Sequence, residues 1–200
     1  MKKLYFALTV ALVLWTLMFS PLTAPRFDFW QMMAGSALIL CALATLFAPA
    51  WWSRLKFDLQ NLIFGVVVAV ALWAIFWVGD KVASWMFNFA RPQVDLIYGI
   101  KEGTSPWVLS LLLLLLIGPA EELFWRGYVQ ERMSKKWGLD RGFWIATACY
   151  ALVHIASCNF MLVMAALVCG VDLQVISVTS WQSIRTPGKS RCISILWVVL

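Results

Sequence analysis

Four ionisable residues stand where the chain is otherwise apolar. Glu121, Glu122 and Arg126 close one long apolar run, and His154, the only histidine of the 200 residues, lies inside the next. Charged groups in such surroundings are costly and tend to mark function. On a helix, residues four apart share a face, whereas adjacent residues diverge by about 100°. Glu122 and Arg126 are therefore spaced to pair, and Glu121 is left without a partner on its own helix. One carboxylate is held as an ion pair while the other is free to move a proton. Gly118-Pro119 precedes them. Proline removes a backbone hydrogen bond, which loosens the helix and makes room for water or a peptide. Tyr150 lies four residues before His154, on the same helical face, and is placed to orient the ring. A carboxylate and an imidazole that meet in a cavity suit the activation of water. Two plainer readings stand beside this one. The helix can simply end at Glu121 and Glu122, with both acids at a surface, and a lone histidine in an apolar helix is more often a hydrogen-bonded core group than a ligand.

The elements that must position these groups are long apolar runs. Residues are 62% hydrophobic and 13% charged, and mean hydropathy is +0.82. A soluble domain is nearer 45–50% apolar and about 25% charged, so a water-facing surface cannot be built from this sequence. The expected fold is all-α, a polytopic transmembrane helix bundle of about six spans. They run over 4–19, 29–49, 62–78, from Pro106 through the leucines 111–116 to Glu122, 143–157, and onward from Phe160. A loop with an interfacial helix near 82–89 separates the third from the fourth. The first run also suits a cleavable signal peptide, but Pro25 would follow the cut, which favours a retained helix. From Pro106 to Glu121 is about 22 Å at the usual helical rise. Against a hydrocarbon core of about 30 Å, Glu121 lies below the membrane surface.

Net charge is +6, and the bases gather in alternate short loops. Lys2 and Lys3, then Arg54 and Lys56, then Arg132, Lys135, Lys136 and Arg141 fall on one side, while the opposite loops are balanced. That pattern orients a membrane protein with a cytoplasmic amino terminus in the cell (inner) membrane. It is not the pattern of a phosphate-binding face, so a nucleic-acid partner is excluded. The partners are the lipid bilayer and a substrate at the membrane. The thirteen tryptophans fit repeated crossings of the headgroup region. The five cysteines form no C-x-x-C pair, which supports neither a disulfide framework nor a cysteine zinc site.

These residues resemble a known family. Glu121-Glu122-x-x-x-Arg126, with its Arg126-Gly127-Tyr128 continuation, resembles the E-E-x-x-x-R signature of the CPBP intramembrane proteases, the CaaX prenyl endopeptidase or Abi type. Tyr150-x-x-x-His154 resembles the second signature, F-x-x-x-H, with tyrosine replacing phenylalanine. The likeness covers roughly residues 60–170. It implies a membrane endopeptidase in which Glu121 and His154 activate the water that attacks a peptide carbonyl, with Glu122 and Arg126 in support. The family is often described as metalloproteases, which would make Glu121 and His154 candidate zinc ligands. A metal-free glutamate mechanism is equally open. Three segments follow: 1–58 outside the motif core, 59–170 as the protease-like core, and 171–200 as an atypical segment.

The third family motif, H-x-x-x-N/D/E, has nothing to land on, because no histidine follows His154. A zinc site here would be one histidine short of the usual three protein ligands plus water. From Asp172 the sequence turns polar, and a reading frame shifted within residues 171–200 is expected. Two bases later, the codons of 184–188 can spell Ser-His-Ala-Trp. The chain as written is therefore expected to be an impaired endopeptidase. A non-catalytic membrane scaffold of immunity type and a small proton-coupled transporter are the alternatives.

Overall fold

The computed structural model describes residues 1–49 and 59–182; the side chains of 59–62, 64 and 172–182 are outside that description. The loop bearing Arg54 and Lys56, and the segment in which the shifted codons fall, lie outside the described residues.

Every extended element among the described residues is a helix. Helix α1 spans Lys2–Phe19 and buries Leu4, Ala7, Ala11, Trp15 and Met18. Those positions recur every three or four residues, which is one face of a helix. Helix α2, Phe29–Phe47, starts where the Asp28 carboxylate accepts a hydrogen bond from the Gln31 amide at 2.8 Å, an N-cap that satisfies one orphan donor. Its buried stripe is Ser36, Ala37, Leu40 and Ala44. Small residues let α1 and α2 approach closely, as in membrane bundles.

Helix α3, Leu59–Met86, turns Val66, Val67, Val70, Trp73 and Trp77 outward, an apolar face suited to lipid. It overrides the expected interfacial helix near 82–89. Asp80 and Lys81, taken from the sequence as loop residues, extend α3, because Asp80 pairs with Arg91 at 3.2 Å and Arg91 with Asp95 at 3.0 Å. The short helix comes later instead, as α4, Ala90–Gly99.

Helix α5 is a 32-residue rod, Pro106–Trp137. At 1.5 Å per residue it measures about 48 Å, longer than the hydrocarbon core, so Glu121 sits near its middle and not at its end. The rod continues through Pro119 because wide, π-type turns flank it at Leu113–Ile117 and Leu123–Gln130. Such turns absorb a missing amide donor and recur at functional sites. Gly138, at φ 87°, reverses the chain into α6, Leu139–Leu152. A Cβ on Gly142 would stand 2.3 Å from Ser134 Cα, so the two helices meet at backbone contact. The helix ends before His154, which therefore occupies the turn beyond α6 and not the interior of a span. Asn159 then caps α7, Phe160–Gln182, accepting from the Leu162 amide at 2.9 Å. Gln93 of α4 binds the same corner, its carbonyl accepting from Asn159 Nδ2 at 2.8 Å and its side-chain oxygen from the Met161 amide at 3.1 Å.

Four helical stretches among the described residues are long and apolar enough to cross a membrane: Lys2–Phe19, Phe29–Phe47, Gly65–Met86 and Pro106–Trp137. The remaining two expected spans correspond to α6, 14 residues long, and to α7, which is apolar over Phe160–Val171. The protein is a polytopic helical bundle. Its core gathers α1, α2, the second half of α5 and the end of α6 around Trp15, Phe124, Trp125 and Tyr128.

Candidate active site

Glu121 and Glu122 leave α5 in different directions, as their spacing requires. Glu122 Oε2 lies 3.7 Å from Arg126 Nε, one turn on, and both side chains are about nine-tenths buried. Arg126 also donates from Nη2 to the Cys169 carbonyl of α7 at 3.5 Å, and its guanidinium lies 4.8 Å over the Tyr150 ring. Its Nη1 is buried without a hydrogen-bond partner among the described residues.

Glu121 is 4% exposed. Its partner comes from α6: the Tyr150 hydroxyl donates to Glu121 Oε2 at 3.2 Å. Tyr150 thus does two things at once. Its hydroxyl holds Glu121, while its backbone carbonyl faces His154 Nδ1 at 2.9 Å. The orienting of His154 runs through the main chain, and the side chain serves the carboxylate.

His154 is buried. Its second ring nitrogen, Nε2, accepts a hydrogen bond from the indole Nε1–H of Trp15 at 3.1 Å. Trp15 is wholly buried on α1, 139 residues away along the chain. Phe19, one turn further along α1, lies 5.4 Å from the imidazole ring centre. Nothing in the local sequence marked Trp15. One tryptophan among thirteen in an apolar run reads as an interfacial or packing residue, and only the tertiary fold brings it to the site.

A cavity of about 280 Å³ passes beside these groups. Glu121, Arg126, Tyr150 and His154 share its wall with Phe19, Phe29, Trp30, Leu72, Phe76 and Lys101. Glu121 and His154 therefore face one space, yet no hydrogen bond joins them. The Tyr150 hydroxyl holds one oxygen of this carboxylate.

Zinc fits this arrangement poorly. Both ring nitrogens of His154 are engaged, so no imidazole lone pair is free for a metal, and the described residues contain no cluster of three or more His, Cys, Asp or Glu suited to one.

A buried carboxylate and an imidazole line one cavity inside a bundle of membrane-length helices, the architecture of a multi-pass membrane protein. The family model described as type II CAAX prenyl endopeptidase Rce1-like matches residues 103–187. This match supports the CPBP/CAAX family of proteases, and the matched segment holds Glu121, Glu122, Arg126, Tyr150 and His154. No curated protein and no solved structure matches the chain significantly.

Proposed function

We propose that the chain is an intramembrane endopeptidase that hydrolyses peptide bonds of a membrane-associated substrate, with Glu121 as general base and with turnover impaired. The observation that carries the reading is the state of Glu121. It is buried on the cavity wall and fixed through Oε2 by Tyr150, and it stands apart from the Glu122–Arg126 pair. Oε1 is left to take a proton from water as the water oxygen attacks the peptide carbonyl. The same proton then passes to the leaving amine as the C–N bond breaks, which regenerates the carboxylate. Glu122, Arg126 and Tyr150 support the base by holding its surroundings. His154 is the partner on the same cavity, and its engaged nitrogens are one reason to expect slow turnover. The absence of a second histidine anywhere in the sequence is the other. A developing oxyanion needs donors aimed at it, and the third motif that would supply them is missing.

The amino terminus is placed in the cytoplasm and the bundle in the inner membrane. In support, Lys3 lies over the Phe47 ring at 5.4 Å, and Arg132 donates to the Phe47 carbonyl at 2.9 Å. The amino terminus, the end of α2 and Arg132 of α5 thus lie at one end of the bundle.

The test is cleavage of a membrane-embedded peptide by the purified chain in liposomes, read by mass spectrometry beside Glu121→Gln. Weak cleavage that vanishes in the variant is the expected result. Rapid Glu121-dependent cleavage would keep the enzyme and remove the impairment. Cleavage indifferent to Glu121→Gln would remove Glu121 as the base, and complete inactivity would favour a binding scaffold.

A further inference from the structure

We infer that Trp15 of α1 is a positioning residue of this site: it fixes the tautomer and the orientation of His154. The inference deepens the endopeptidase reading and rests on it for its catalytic consequence, but its structural content stands alone.

A neutral imidazole has one N–H and one lone pair, and its neighbours decide which nitrogen carries which. Here each neighbour has a single polarity. The Tyr150 carbonyl can only accept, so Nδ1 facing it at 2.9 Å carries the proton. The Trp15 indole can only donate, so Nε2 facing it at 3.1 Å carries the lone pair. A proton on Nε2 would set N–H against N–H. One arrangement satisfies both partners, and it is the Nδ1–H tautomer.

The ring is also fixed in space. Trp15, Phe19 and Tyr150 stand around it with ring centres 6.1, 5.4 and 5.2 Å away. Trp15 meets Trp125 of α5 edge-on at 6.3 Å, and Trp125 meets Tyr150 at 5.2 Å. Trp15 is thereby wedged between α5 and the turn that carries His154. It also lies outside residues 103–187, so the site is completed by a helix beyond the family-like segment. Nε2 is the only ring atom through which His154 can accept a hydrogen bond from a water or substrate N–H, and Trp15 holds that atom until one replaces it.

Because the chain has one histidine, ¹⁵N-histidine labelling gives a single pair of ring resonances, provided the protein is purified without a polyhistidine tag. The wild-type protein in detergent or lipid is expected to show a protonated Nδ1 and a bare, hydrogen-bonded Nε2. Trp15→Phe keeps an aromatic ring and loses the donor together with part of the indole's volume. It is expected to shift the Nε2 resonance and bring in the Nε2–H tautomer. Phe19→Leu perturbs the same surroundings without touching a hydrogen bond and is expected to keep the wild-type tautomer. A wild-type spectrum with the proton on Nε2, or a Trp15→Phe spectrum identical to wild type, overturns the inference. So does loss of the tautomer in Phe19→Leu, which would make packing and not the donor responsible. If Trp15→Phe does not fold, the wild-type spectrum still decides. Where the wild-type chain cleaves peptide, Trp15→Phe should lower kcat about tenfold or more and leave KM nearly unchanged. Failure of cleavage in the wild type would defeat the endopeptidase reading while leaving the tautomer result intact.

Discussion

The Tyr150 hydroxyl reaches across from α6 to α5 and donates to Glu121 Oε2 at 3.2 Å, beneath the guanidinium of Arg126. The position matters because the family signature has phenylalanine there, and phenylalanine has no hydroxyl. The departure from the signature is thus the group that holds the proposed base. Tyr150→Phe restores the signature and deletes the bond. Hydrogen bonds to charged groups contribute about 1.5–3 kcal/mol, so cleavage should fall by roughly ten- to a hundredfold. Glu121→Gln, which removes the base itself, should cost on the order of 10²–10⁴. Steady-state cleavage in liposomes separates the two. Equal losses would mean that Tyr150 belongs to the reaction and does not merely hold the carboxylate.

The Glu122–Arg126 pair leads to a prediction about folding. Both side chains are about nine-tenths buried, and removing one partner of a buried pair strands the other charge at a cost of about 3–5 kcal/mol. Arg126→Met should therefore lower the melting temperature in detergent sharply. The double change Glu122→Gln with Arg126→Met should recover part of the loss, since it leaves no lone charge. Additive losses in the double variant would show that the pair is not coupled.

The parts of the site that lie within one helix were readable from the sequence. Glu122 and Arg126 pair because helical geometry puts residues four apart on one face, and the same rule separates Glu121 from them. Contacts between helices were not readable. Tyr150 shares a face with His154, yet the side chain turns to Glu121 and the carbonyl serves the histidine, a choice made by where α5 stands. Trp15 is the extreme case, since its partner is 139 residues away. Helix ends were harder than helix existence. The fourth span was expected to end at Glu122, but a π-type turn over Leu123–Gln130 carries α5 on to Trp137. Asp80 and Lys81 looked like a loop, but the Asp80–Arg91 pair lets α3 run to Met86.

Orientation can be read with reporter fusions. Lys2, Lys3 and Arg132 share one end of the bundle with Phe47, and positive charge is retained on the cytoplasmic side. A fluorescent protein that matures only in the cytoplasm, fused after Trp137, should be bright, and one fused after Gly103 should be dark. The reverse pattern would invert the assignment.

Close backbone packing gives the last prediction. The turn at Gly138 folds α6 back against the end of α5, and the two helices touch where Gly142 meets Met133 and Ser134. A Cβ at Gly142 would stand 2.3 Å from Ser134 N and Cα and 2.7 Å from the Met133 carbonyl carbon. All are backbone atoms, which cannot swing aside as a side-chain end would. Gly142→Ala must then part the helices, and overpacking of this kind costs typically about 1–3 kcal/mol. Because α6 carries Tyr150 and leads to His154, the displacement should also weaken the hold on Glu121. Gly35→Ala is the matched control: a Cβ there meets nothing within 4 Å, and alanine is the better helix former by about 1 kcal/mol. Thermal melting in detergent should place Gly142→Ala below wild type and Gly35→Ala at or above it. Equal melting temperatures for the two variants would mean that α5 and α6 are not held in backbone contact.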